Sequence, residues 1–203
     1  MSQRKYTLLL VGGASGVASP IIAVTCILIS IASYPAFSWT NNALSDLGII
    51  QGVTGPVFNF GLYCSGLLVL QFAVFGLFKY LESWVGKIGA VTFAATALAL
   101  MGIGAAPENV VPYHYLFSVA FFVLLPISLF IITAAFALKR QTKMALFTLL
   151  TAAAAATPWI LQFALHYVQG VAIPEFASAL AGSVWIVVLG YKMLKAAPQP
   201  KRA

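Results

Sequence analysis

Residues 112–143 read PYHYLFSVAFFVLLPISLFIITAAFALKRQTK, and this stretch decides the fold. Between residues 112 and 138 it contains no Asp, Glu, Lys or Arg. A helix needs about 20 predominantly apolar residues to cross the hydrocarbon core of a bilayer, so this run is long enough to span it. The apolar residues are continuous rather than alternating, which favours a helix over a strand of a membrane barrel. The basic residues that follow are typical of a helix end at the cytoplasmic surface.

The rest of the chain has the same character. Of its 203 residues, 62% are hydrophobic and only 7% are charged, whereas a soluble domain carries about 25% charged residues. Because so few charges cannot cover the surface of a soluble protein, we predict an all-α integral membrane protein. One domain, residues 1–203, forms a compact bundle of six transmembrane helices. The predicted helices span residues 7–34, 57–80, 86–106, 112–138, 144–168 and 174–195.

The basic residues predict the orientation. With six helices, all eleven of them fall on one side of the membrane, and loops one, three and five contain none. They are Arg4, Lys5, Lys79, Lys87, Lys139, Arg140, Lys143, Lys192, Lys195, Lys201 and Arg202. Since cytoplasmic loops are enriched in Lys and Arg, both termini are predicted to be cytoplasmic. The net charge of +7 then reflects topology and attraction to anionic lipid rather than nucleic-acid binding. We expect the protein in the cell membrane of a prokaryote, as a multi-pass protein.

The opposite, outer side collects the residues capable of chemistry. Both histidines and three of the four carboxylates are predicted to lie there. They are Asp46, Glu108, His114, His166 and Glu175. We regard this asymmetry as the most informative functional feature of the sequence.

Loop one is the longest connection and is placed on that outer side. Residues 35–56 read PAFSWTNNALSDLGIIQGVTGP, and the middle of this loop is apolar enough to enter the membrane surface. Irregular backbone at that depth must be covered by protein or line a wet cavity. We therefore predict that loop one is ordered against the bundle, with Asp46 accepting hydrogen bonds from nearby backbone or asparagine groups.

The outer residues suggest a metal site. Two imidazoles with one or two carboxylates match a catalytic zinc shell, which keeps one position for water. Zinc would lower the pKa of that water to about 7 and supply hydroxide. The candidate metal ligands are Asp46, His114, His166 and Glu175, and the candidate catalytic residues are Ser45, Asp46, His114 and His166. A haem held by the two histidines is a further alternative.

Simpler roles remain open for the same residues. Glu175 follows a proline at a helix start, where a carboxylate complements the helix dipole. Asp46 is suited to a turn, and a histidine at an interface often keeps its polar tip in water.

The orientation of the two histidines is a separate prediction. The pairs His114 with Ser118 and Gln162 with His166 are each four residues apart, so each pair can share a helix face. We expect both pairs to face the bundle interior, because polar groups without partners in hydrocarbon cost several kcal/mol.

Several motifs resemble one membrane family. The run Asn42-Ala-Leu-Ser-Asp-Leu-Gly48, followed by Phe58-Asn-Phe-Gly61, is similar to the uncharacterised family catalogued as domain of unknown function 998. Pro112 with His114, and the later Pro174-Glu175 with Trp185, agree with the same order of motifs. The resemblance implies a compact multi-helix membrane protein and no established activity.

Three functions therefore stay open at this point. Short loops and an almost wholly apolar chain favour a subunit or assembly partner of a membrane complex, with protein partners or a second copy of the chain. The outer Asp and His residues favour a lipid-directed enzyme that uses a metal. The same residues would also suit a small transporter or binding protein with an outer vestibule.

Overall fold

The computed structural model describes residues 3–196, apart from the side chain of Arg4. This part of the chain contains six long helices and no strand. The helices are α1 (Gln3–Ala32), α2 (Thr54–Tyr80), α3 (Trp84–Ala105), α4 (Tyr113–Leu138), α5 (Thr142–Leu165) and α6 (Ala172–Ala196). Each is long and apolar enough to cross a membrane. The predicted all-α, six-helix membrane fold is confirmed, while Lys201 and Arg202 lie outside the described residues.

The helix ends differ from the predicted ones by a few residues, for local reasons. Helix α2 begins at Thr54 because hydroxyl groups of α1 hold its first turn: Ser30 Oγ donates to the Thr54 carbonyl at 3.1 Å, and Ser33 Oγ lies 2.8 Å from Thr54 Oγ1. Helix α5 ends at Leu165 rather than at residue 168, because His166 adopts the left-handed conformation with φ 47°. Such a residue cannot continue a right-handed helix.

The six helices form a closed ring. Each helix packs against the next one in the chain, and α6 returns to pack against α1. Glycines allow the closest approach, since a Cβ atom at Gly12 of α1 would collide with the backbone of Gly76 in α2. Gly76 lies within a short π-helical segment, Phe72–Leu77, that widens α2 at this contact. Small residues at such crossings let helices pack where lipid supplies no hydrophobic drive.

Aromatic rings fill the middle of the ring. Phe72, Phe93 and Trp185 come from three different helices, and their ring centres lie 5.2–6.2 Å apart. The buried indole of Trp185 donates from Nε1 to Thr148 Oγ1 of α5 at 3.0 Å. A buried Trp usually finds such a partner, and this bond connects α5 to α6.

The two ends of the bundle differ in charge. We call the end that contains Asp46, Glu108 and Glu175 the acidic end. We call the opposite end, with Lys5, Lys79, Lys139 and Glu82, the basic end. Loop one covers the acidic end, and this is where the candidate site lies.

Candidate functional site

Loop one forms a cap over the acidic end of the ring. Its middle is a short 3₁₀ helix, Ser45–Ile49, whose Leu47 side chain is 0% exposed. The side chain of Asn59 in α2 donates to the Gly48 carbonyl at 2.8 Å and holds the cap from one side. The prediction that loop one is ordered against the bundle is therefore confirmed.

A second set of contacts holds the cap against α6. The backbone N–H of Gly170 donates to the Thr40 carbonyl at 2.7 Å, and that of Ala172 donates to the Asn42 carbonyl at 2.9 Å. The first amide groups of a helix have no partner within it, so loop one satisfies those at the start of α6. In return Glu175 Oε2 accepts the backbone N–H of Leu44 at 2.6 Å. We call this set of hydrogen bonds the loop-one clamp.

Asp46 is bound within the cap itself. Its Oδ2 accepts the side-chain amide of Asn42 at 2.7 Å and the backbone N–H of Ala43 at 3.0 Å. These are the backbone and asparagine partners that the sequence predicted. They hold the carboxylate of Asp46 towards the neighbouring loop that contains Glu108.

Glu108 is the most perturbed acid outside the membrane-spanning segments. Burial raises the pKa of its carboxyl group, and the hydrogen bond and negative charge of Asp46 raise it further, to about 7. Near neutral pH, Glu108 therefore exchanges between a neutral form that can donate a hydrogen bond and a charged form that only accepts. No ammonium or guanidinium group contributes to this shift.

A lateral pocket of about 550 Å³ opens at the acidic end. Its polar lining consists of Ser45, Glu108, His114, Ser118 and Glu175. Its apolar wall comes from α4 and α5 and consists of Tyr115, Val119, Phe122, Val123, Trp159 and Phe163. Pockets of 300–1,000 Å³ with an apolar wall and a few convergent polar groups are typical of ligand sites.

Two residues that line this pocket each have a buried polar atom without a hydrogen-bond partner. The atoms are Oε2 of Glu108 and Nε1 of Trp159. An unpartnered buried polar group costs about 1–3 kcal/mol, so such groups need a reason. One acceptor and one donor in the same pocket are what a hydrogen-bonding ligand would satisfy.

A smaller cavity lies beside the lateral pocket, in the centre of the ring. Its volume is about 100 Å³, and α1, α2, α3, α4 and α6 surround it. Ser45, Ser118, Phe122 and Glu175 line both spaces and so form the boundary between them. Deeper in the cavity, the almost fully buried Ser19 presents a hydroxyl group without a partner. A mostly apolar cavity thus lies next to the polar site.

The two histidines have different environments. His114 is 7% exposed, lines the lateral pocket and has its Nδ1 2.7 Å from the Ala106 carbonyl oxygen. The interior orientation predicted for His114 and Ser118 is confirmed. Gln162 is also buried and donates to the Val168 carbonyl at 2.8 Å.

The prediction was wrong for His166, which is exposed and does not line the pocket. The helical register that would pair it with Gln162 is lost one residue after α5 ends.

The predicted metal site has no ligand set in this arrangement. Among the described residues, no group of three or more His, Cys, Asp or Glu side chains is placed to hold a metal ion. Of the candidates Asp46, His114, His166 and Glu175, only His114 and Glu175 line the lateral pocket, and Glu175 is committed to Leu44. Candidate Ser45 lines it too. The residues brought together are better suited to hydrogen bonding than to ligating zinc.

Two residues of this site were missing from the predicted site residues. Glu108 was recognised as an outer carboxylate but not as a candidate ligand or catalytic residue, because nothing in the sequence shows that a loop residue will be covered. Trp159 gave no signal, since one aromatic residue in an apolar helix is indistinguishable from a lipid-facing one. The fold alone shows that Trp159 lines the pocket.

The fold and the site together define a multi-pass membrane protein with six spanning helices and a pocket at one end. The family described as "Protein of unknown function (DUF998)" matches residues 17–192, which is most of the chain. The chain therefore belongs to this family, as its motifs suggested. No curated protein and no solved structure matches it.

Proposed function

We propose that this protein binds a lipid-like molecule in the lateral pocket, with a polar head group that is neutral or positively charged. The observation that carries the proposal is that two residues lining the pocket each have a buried polar atom without a partner, Glu108 Oε2 and Trp159 Nε1. A hydroxyl or amine group can donate to Glu108, and a hydroxyl oxygen can also accept from the indole N–H.

The charges of the pocket support this choice of head group. Glu108 and Glu175 line it, Asp46 lies against Glu108, and no Lys or Arg is among its lining residues. A phosphate or carboxylate head group would meet like charge in a partly desolvated site, and such a juxtaposition costs several kcal/mol. An ammonium group would be attracted, and an alcohol would be tolerated.

The apolar part of the pocket supports an alkyl chain. Tyr115 and Phe163 are 70% and 73% exposed at the pocket wall, on helices that lipid surrounds. A molecule dissolved in the bilayer can therefore enter between α4 and α5 without passing through water. Its chain can lie along the apolar wall, where Ser118 and Phe122 border the central cavity.

Among the three predicted functions, this proposal is closest to a binding protein with an outer vestibule. The metal-dependent enzyme loses its support because the ligand set is not assembled. Exposed apolar side chains such as Phe60 and Leu150 occur on several helices, but a bilayer would cover them. The role of subunit or assembly partner, with other proteins or a second copy, stays a prediction without a separate observation in its favour.

Three amphiphiles with one chain length and different head groups test the proposal: dodecylamine, dodecanol and dodecyl phosphate. The protein in nanodiscs of zwitterionic lipid is titrated with each, and the shift of its thermal unfolding midpoint is measured. We expect the amine and the alcohol to stabilise it through the lateral pocket, and dodecyl phosphate to have no effect that depends on the lateral pocket. Stabilisation should grow with concentration as expected for a ligand of the folded state.

Trp159→Phe provides the matched variant, because it keeps the aromatic ring and removes only the N–H. It should weaken dodecanol binding by about fivefold, the equivalent of one neutral hydrogen bond. Trp84→Phe, at an exposed site near the basic end, should leave binding unchanged. Stabilisation by dodecyl phosphate that Trp159→Phe weakens, or identical dodecanol binding by Trp159→Phe and the wild type, would refute the proposal.

A further inference from the structure

A second pocket, of about 320 Å³, lies at the basic end. The start of α1, the end of α2 and the turn between α4 and α5 surround it. Three lysines line it, namely Lys5, Lys79 and Lys139, and Glu82 is the only acidic residue in the lining. The lateral pocket shares none of its residues.

Positive charge dominates this basic pocket. Glu82 forms an ion pair with Lys5, whose Nζ lies 2.5 Å from Oε1 of Glu82. The hydrogen bond and charge of Lys5 lower the pKa of the Glu82 carboxyl group. Lys139 and Lys87 lower that pKa further, so their charges also act at this point. One carboxylate therefore faces several ammonium groups.

Two lysines at this end contact the same aromatic ring, although only Lys79 lines the pocket. The Nζ atoms of Lys79 and Lys87 lie 5.7 Å and 5.6 Å from the centre of the same ring, that of Phe78. Like charges gathered around one cavity repel each other, and a bound anion would relieve that repulsion. Ser83 and Gln141 add polar groups to the lining.

We propose that the basic pocket binds a phosphate group, and specifically the phosphate of an anionic phospholipid in the adjacent leaflet. Leu9, Ala135 and Phe136 also line the pocket and provide apolar contacts for the part of the lipid that follows its head group. Basic pockets between transmembrane helices are suited to such head groups. This site is independent of the proposed amphiphile site at the acidic end.

The test compares two sources of phosphate. Lipid binding is measured by titrating phosphatidylglycerol into phosphatidylcholine nanodiscs, and binding of the free anion by adding glycerol phosphate to pure phosphatidylcholine nanodiscs. We expect phosphatidylglycerol to raise the unfolding midpoint. Lys79→Gln and Lys139→Gln should each weaken that binding by about fivefold, corresponding to about 1 kcal/mol for each lysine near the surface.

Two controls separate the pocket from general surface charge. Lys143→Gln makes the same charge change outside the pocket and should leave binding almost unchanged. Glu82→Gln removes the one carboxylate and should strengthen binding, whereas a merely structural disturbance would weaken it. A response to glycerol phosphate with the same lysine dependence would support the phosphate site and identify the free anion as a second source. The proposal is overturned if neither source binds, or if Lys143→Gln weakens binding as much as the pocket variants do.

Discussion

The two ends of this bundle manage excess charge in opposite ways. At the acidic end, loop one packs over the carboxylates, and only 8% of Glu175 is exposed. At the basic end, the connections are short and the lysines surround an open pocket with one exposed carboxylate. A carboxyl group such as Glu108, with a pKa of about 7, can lose its charge by taking up a proton. An ammonium group stays charged near neutral pH, so a bound anion would be needed to balance the charge of the lysines.

This difference also determines how each end is held together. The acidic end depends on buried hydrogen bonds, which are costly to break because one partner is left unsatisfied. The basic end has one observed ion pair, Lys5–Glu82, which is partly exposed and is screened by water and salt. Substitutions at the two ends should therefore have unequal effects on folding.

The largest effect is expected when the loop-one clamp is broken. Glu175→Ala removes the acceptor for the buried Leu44 N–H and should lower the free energy of unfolding by about 1–3 kcal/mol. It should also release loop one. Both are measurable, by denaturation in detergent and by the labelling rate of a cysteine introduced at Ala43.

Glu175→Gln is the matched control, since its amide oxygen can still accept that hydrogen bond. It should retain most of the stability and leave labelling slow. If the Ala and Gln variants label equally fast, the clamp does not hold loop one and the comparison between the two ends fails.

The clamp also shows what the sequence could predict and what it could not. The six helices followed from long apolar runs, because a bilayer tolerates few other solutions. The order of loop one followed from apolar residues mixed with Asn, Ser and Asp, which are costly to leave unsatisfied. However, the partner of Glu175 is a backbone amide 131 positions away, and no side-chain pattern identifies such an amide.

The histidines illustrate the limit of helical spacing. A separation of four residues placed His114 and Ser118 correctly, because both lie within α4. The same spacing failed for Gln162 and His166, because α5 ends between them. Helix ends are hard to predict to within a turn. The predicted metal site depended on α5 continuing as far as His166.

A smaller effect should distinguish the ends by pH. The folded-state pKa of Glu108 is raised from 4.5 to about 7, so the folded protein holds a proton that the unfolded chain releases between these values. The contribution of this proton to the free energy of unfolding is fully present below about pH 4.5 and is lost as pH rises through 7. The unfolding midpoint should therefore fall by a few degrees between pH 5 and pH 8. Glu108→Gln should reduce that dependence.

At the basic end, stability depends on pH with the opposite sign. The pKa of Glu82 is lowered by Lys5. The ionised Glu82 therefore stabilises the fold above the ordinary carboxyl pKa, and this stabilisation is lost as pH falls below about 4.5. Glu82→Gln should leave the slope between pH 5 and pH 8 unchanged. A flattened slope in Glu82→Gln and an unaltered one in Glu108→Gln would reverse the assignment of the two ends.

The smallest effect concerns a feature that both ends share. His166 follows α5 at the acidic end with φ 47°, and Arg140 follows α4 at the basic end with φ 55°. A left-handed residue other than glycine costs about 1–2 kcal/mol, while glycine adds about 0.4–1 kcal/mol of freedom to the unfolded chain. His166→Gly and Arg140→Gly should each stabilise the fold by roughly 0.5–1 kcal/mol, the difference between these costs.

His166→Gly has a second readout that Arg140→Gly lacks. Because the exposed His166 does not line the lateral pocket, the variant should bind dodecylamine and dodecanol as the wild type does. His114→Ala, by contrast, removes a side chain from the pocket lining and should weaken both. If His166→Gly is more stable but binds these amphiphiles poorly, then His166 acts on the ligand despite its exposure. That result would support the metal-dependent site with both histidines as ligands, which the observed geometry does not support.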